Sequence, residues 1–140
     1  MKILTITLCF ISVFKVTTSA WAGQSTNSIS DVIKSGIAQS TLILSGKFSQ
    51  TYEGGGGATS QIEVGDVFKA PRSFQPPKRI TLHWLSQKSG SQQLTNSYIF
   101  FLQSGGTNSD NVYRDVTDET QPFVLANGAN IGILKAQLSK

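Results

Sequence analysis

The chain has 140 residues, a formal net charge of +4, 39% hydrophobic and 14% charged residues, one cysteine and one histidine. That composition describes one small globular domain and excludes collagen-like, coiled-coil and low-complexity chains. A single histidine also excludes any site that needs two imidazoles, and one cysteine leaves no cysteine-based zinc cage.

Met1-Lys2 is a short basic start, Ile3 to Phe14 is apolar, and Thr17-Thr18-Ser19-Ala20 is small and polar. This layout predicts a cleavable secretory signal peptide over 1–22. Ala20-Trp21-Ala22 places small residues at both positions a signal peptidase reads, so cleavage is expected before Gly23, with a cut after Ala20 as the alternative. The apolar run stops at Lys15, short of the roughly 20 residues a spanning helix needs, so no membrane anchor is expected. Cys9 lies inside that run, and residues 23–140 are expected to form a single exported domain without a disulfide. Loss of Lys2 and Lys15 leaves only a slight positive excess. An exported small domain without cysteine fits a bacterial periplasm or the cell exterior better than an animal extracellular fluid.

Residues 23–27 read as a polar leader. Ile29, Val32, Ile33 and Ile37 then recur at spacings of three and four, which predicts a short amphipathic helix ending between Gly36 and Ser40, with Ser28 or Ser30 as N-cap and Asp31 in the first turn. Thr41 to Tyr52 carries strand chemistry, with Leu42, Leu44 and Phe48 on one face and Ser45, Lys47 and Ser49 on the other. Gly46 falls on the apolar face, where a strand bends or another backbone comes close. Gly54 to Gly57 reads as a hairpin tip. It lacks the lysine and the following helix of a phosphate loop.

Ile62 to Phe68 is the next strand, its phase broken across Gly65-Asp66 in the manner of a bulge. Lys69 to Lys78 holds three prolines and closes it. Arg79 to Ser86 alternates, with Ile80, Leu82 and Trp84 on one face and Thr81 and His83 on the other. Gln87 to Thr95 is a polar turn. Tyr98 to Leu102 is apolar on both faces, which predicts the most buried strand, covered by a helix. Ser104 to Asn111 is a turn, Val112 to Val116 a short strand, and Gln121 to Leu125 another beginning after Pro122. Ile131, Leu134 and Leu138 predict a closing helix capped by Asn127 or Asn130. Five or six short strands with a helix at each end predict a mainly β fold, a small barrel or sandwich.

The run Leu42-Ile43-Leu44-Ser45-Gly46-Lys47-Phe48, then Ile62-Glu63-Val64-Gly65-Asp66-Val67-Phe68-Lys69, then Ile80-Thr81-Leu82, then Tyr98-Ile99-Phe100-Phe101-Leu102 resembles secreted bacterial OB-fold proteins of the netrin-like type. The resemblance covers about Leu42 to Leu125. It implies a five- to six-stranded OB-like barrel and export, and no activity. Ala70 departs from the glycine that follows the lysine in that family, and the cysteines of its animal inhibitor members are absent, so inhibition through a cysteine terminus is not carried over.

Among candidate functional groups, the densest is the basic loop Lys69, Arg72, Lys78 and Arg79 interleaved with Phe74, to which Tyr113 and Arg114 on the late strand can add a face. Cations beside aromatics suit nucleic acid, anionic headgroups or an acidic protein. For an exported chain nucleic acid is the least favoured of these. A small hydrolase using His83, or Glu53 with Glu63 on either side of the glycine loop, is the competing reading, although no Gly-x-Ser-x-Gly elbow occurs. A surface-assembly subunit is a third. Asn108, Asp110, Asn111 and Asp115 are oxygen-rich without the spacing of a calcium-hand loop. The expectation is therefore a non-enzymatic binding domain without metal or cofactor, periplasmic or secreted, contacting an envelope or extracellular protein.

Overall fold

Ser28 opens the first element: its hydroxyl accepts the Asp31 backbone N–H at 3.2 Å and caps the helix Ile29–Gln39 (α1). The structure, a computed structural model, describes residues 27–85, 94–105, 111–118 and 123–140. The expected signal peptide 1–22, most of the expected turn 87–95, Asn108, Asp110, Gln121 and Pro122 lie outside the described residues.

Among the described residues six strands follow α1: β1 (Leu42–Gly54), β2 (Gly57–Lys69), β3 (Arg79–Leu85), β4 (Ser97–Ser104), β5 (Val112–Asp115) and β6 (Val124–Leu125). The chain closes with α2 (Gly128–Leu138), capped by Asn127, whose side-chain oxygen accepts the Asn130 N–H at 2.8 Å. Neighbours run β1-β2-β3-β5-β4, and β1 also pairs with β4, so five strands close into a barrel. All pairings are antiparallel except β3 with β5. This is a five-stranded OB-like barrel with one extra strand, β6, added beside β4.

The period-2 pattern sorts the apolar residues into two layers. Leu42, Leu44, Phe48, Ile62, Ile80, Leu82, Trp84, Tyr98, Phe100 and Leu102 fill the barrel. Their odd neighbours Ile43, Ile99 and Phe101 project outward into a second cluster with Val32 and Ile33 of α1 and Leu134 of α2. The two-faced strand at Tyr98 to Leu102 is thus buried on one side by the barrel and on the other by the helices. Phe48 is the hub of the inner layer. Its ring makes edge contacts with Phe123, Phe100, Tyr98 and Trp84 at centroid distances of 5.2, 5.4, 5.6 and 6.3 Å. Deeper polar groups are satisfied in a chain: Trp84 Nε1 donates to Ser60 Oγ at 2.8 Å, and Ser60 shares a 2.9 Å hydrogen bond with Thr51.

Of the three register irregularities between β1 and β2, two set the faces around the site. Leu44 pairs with Val67 and Gly46 with Val64, so β2 carries an extra residue across Gly65-Asp66, as the broken phase requires. The Asp66 N–H released there donates to Ser45 Oγ at 2.9 Å, which explains why Ser45 is buried. At Gly46 the strands approach so closely that a Cβ would stand 2.6 Å from the Glu63 carbonyl oxygen. The second irregularity lies in β1 itself: Phe48 pairs with Ile62 but Gln50 with Gln61, leaving Ser49 as the extra residue.

Several expected boundaries move. β2 begins at Gly57, not Ile62, because Gly57 to Gln61 pair with both β1 and β3 and so become strand despite their small, polar side chains. β6 is only Val124–Leu125, and β5 ends at Asp115. Ile29, placed on the apolar stripe of α1 by its spacing, is 42% exposed, since it occupies the first helical position before the packed layer begins.

Candidate functional site

The basic loop is not a uniform cationic surface. Lys69 Nζ donates to the carbonyl oxygens of Ile37 and Ser40 at 3.0 and 2.7 Å, so its ammonium closes the C-terminal end of α1. Arg79 pairs with Glu63 at 3.2 Å on the barrel surface, where both side chains are more than half exposed. Phe74 is half-buried against the barrel core, and its N–H donates to the Pro71 carbonyl at 3.0 Å. Of the loop's four cations, Arg72 and Lys78 are the exposed ones with no ion-pair partner among the described residues. Tyr113 is half-buried against the same core, beside Leu82 in the sheet.

The structure instead gathers other residues at the far end of β2. Tyr52 pairs with Thr59, Thr59 with His83, and His83 with Arg114, so four strands contribute one side chain each to a single row. Ile62, Ser60 and Ala58 are buried on one face of β2, which puts Thr59 and the row on the opposite, outer face. Tyr52 is 65% exposed. Thr59 Oγ1 and His83 Nδ1 share a 2.9 Å hydrogen bond that fixes the imidazole. Gln61 Nε2 donates to Thr81 Oγ1 at 3.0 Å one row further along.

A groove of about 860 Å³ lies at this end of the barrel, between residues 52–59 of the hairpin and residues 114–117 leaving β5, with His83, Trp84 and Leu85 between them. Its hairpin wall is made by the glycine run. Gly55 and Gly56 have φ of +61° and +83°, the two left-handed residues that a tight two-residue hairpin turn demands. The expectation that this run is a hairpin tip is met, and the tip is a wall of the groove. Glu53 stands on the hairpin side, and Arg114 and Asp115 on the β5 side. The Asp115 carboxylate accepts from the Thr117 backbone N–H and hydroxyl at 2.9 to 3.3 Å.

Glu53 and Glu63 are not brought together. Glu63 pairs with Lys47, six residues along β1 from Glu53, a separation of roughly 20 Å at strand spacing, against the at most about 9.5 Å that a glycosidase pair needs. His83 has a hydroxyl and no carboxylate on its described ring contacts, so the third member of a nucleophile–base–acid relay does not stand beside it. Asn111 adopts φ +68° and accepts the Thr81 N–H at 2.8 Å through its carbonyl oxygen, a turn role. No group of three or more His, Cys, Asp or Glu that could hold a metal ion occurs among the described residues.

The residues that sequence reasoning missed are Tyr52 and Thr59. Strict alternation from Phe48 puts Tyr52 on the inner face; the extra residue at Ser49 turns it outward. Thr59 lies in a stretch that reads as loop until its partners on β1 and β3 are known. In comparison with known proteins, no protein-family model matches the chain and no curated protein matches it.

Proposed function

We propose that the protein is a small binding domain whose recognition surface is the groove and its row Tyr52, Thr59, His83 and Arg114, and that its partner is a protein. The observation that carries this is Arg114: an exposed guanidinium beside a fixed imidazole in a groove, with no ion pair among the described residues. Lys69 and Arg79, by contrast, are engaged within the fold, Lys69 by carbonyl oxygens and Arg79 by Glu63. An aromatic, a histidine and an arginine presented together on rigid strands suit recognition, since Tyr and Arg are enriched among residues that dominate binding energy. Export, expected from the N-terminus and from the netrin-like resemblance, puts the partner in the envelope or outside the cell.

Catalysis is the weaker reading, because the carboxylate pair is split and no acid among the described residues is hydrogen-bonded to His83. The test is cross-linked capture from the source organism's envelope and culture fluid with the full chain carrying a C-terminal tag. A protein captured by the wild type, lost with Arg114→Ala and His83→Ala, and retained with Arg72→Ala and Lys78→Ala supports the groove. Loss with the loop pair alone returns the function to the basic loop.

A further inference from the structure

Resting on the groove as recognition surface, we propose that its occupant is a short extended peptide segment laid across the strands, with a carboxylate between Arg114 and His83 and an apolar side chain against Tyr52. The argument is charge and length. A guanidinium offers a planar fork of donors that matches a carboxylate bidentately. Arg114 stands one strand away from His83, so one carboxylate reaches both. In the tautomer in which Thr59 Oγ1 donates to Nδ1, the imidazole carries its proton on Nε2, a second donor for the same oxyanion.

The opposite end fixes direction. At the hairpin side Tyr52, 65% exposed and on the same outer face as Arg114, offers apolar surface in place of a cation. From Tyr52 to Arg114 the row crosses three strand spacings, about 14 Å, which an extended peptide covers in about four residues. A dianionic phosphate is a poorer match: among the described residues the lining holds Arg114 and His83 but no lysine, and Glu53 and Asp115 share the groove with them.

The test uses the full chain, ¹⁵N-labelled, titrated with three acetylated tetrapeptides while the Arg114 Nε–H and His83 ring signals are followed. Phe-Gly-Ser-Asp amide carries a side-chain carboxylate, Phe-Gly-Ser-Ala free acid a terminal one, and Phe-Gly-Ser-Asn amide none. At least one acid is expected to shift both signals and saturate, with the Asn peptide about ten-fold weaker or worse, as loss of a charge-assisted hydrogen bond implies. Which acid binds assigns the carboxylate to a side chain or a chain end. Arg114→Gln, its fold checked by the same spectrum, is expected to abolish the discrimination. Equal binding of the Asn peptide, shifts confined to Arg72 and Lys78, or a response to inorganic phosphate alone would each overturn the proposal. Peptide silence combined with partner capture that still depends on Arg114 rejects the acidic peptide and leaves the groove standing.

Discussion

His83 and Arg114 are cross-strand neighbours on the parallel pairing of β3 with β5, held in register by the adjacent Leu82–Tyr113 pair. Tyr113 packs inward while Arg114 stays exposed, so the barrel rigidly positions a side chain it does not need for packing. Replacement of either His83 or Arg114 by alanine is therefore expected to leave the unfolding free energy within about 0.5 kcal/mol of wild type. Urea unfolding checks this. A loss of several kcal/mol would mean that these side chains serve the fold and that any effect on capture is indirect.

Phe48 presents the opposite case. It touches four aromatic rings and is almost fully buried, so truncation removes both transfer energy and edge contacts. Phe48→Ala is expected to cost about 3–5 kcal/mol. Phe48→Leu, which refills most of the volume, should cost clearly less. The ranking is read from denaturation midpoints, and equal costs for the two would show that the site collapses around the cavity.

Ser60 is the partner that allows an indole to be buried in this barrel. Ser60→Ala leaves Trp84 Nε1 without its acceptor, at an expected cost of about 1–3 kcal/mol. Trp84→Phe removes the donor, so adding Ser60→Ala to it should cost much less, and the double-mutant cycle yields a positive coupling. Because Trp84→Phe removes the sole tryptophan of residues 23–140, all four corners of the cycle are read by urea unfolding followed by far-UV circular dichroism. Zero coupling would show that the 2.8 Å contact contributes nothing to stability.

The inner and outer layers of the barrel were legible because residues such as Ile80, Leu82 and Trp84, or Tyr98 and Phe100, alternate without interruption over a whole strand. The bulge at Gly65-Asp66 was legible too, since apolar residues on both sides reveal a phase break. The extra residue at Ser49 was not: beyond it Gln50, Thr51 and Tyr52 carry no clear inner partner, so nothing local reports the flip that turns Tyr52 outward. The groove escaped for the same reason, being assembled by register across four strands, none of which shows its neighbours' alignment. The basic loop was read by composition, which counts charges but not their partners. Lys69 and Arg79 look like Arg72 and Lys78 until α1 and Glu63 are seen beside them.

That contrast yields the last prediction, at the end of α1. Carbonyls of a helix's last turn lack intrahelical donors. Here Lys69 serves Ile37 and Ser40, and Gln103 Nε2 serves Gln39 at 2.6 Å. Lys69→Met keeps the stem packed but removes the donor, and is expected to destabilise by about 1–3 kcal/mol, in the range of a hydrogen bond to a charged group. Arg72→Ala and Lys78→Ala, exposed and unpaired among the described residues, should stay within about 0.5 kcal/mol. Ser40 adds a sign test in the same place: its hydroxyl is buried with no hydrogen-bond partner, so Ser40→Ala should be neutral or stabilising, because it removes a polar atom that gains nothing from burial. Urea unfolding of the four variants separates a helix-closing lysine from a loop of free cations. A Lys69→Met protein as stable as wild type, or a Ser40→Ala protein clearly weakened, would contradict the contacts that fasten α1 to the barrel.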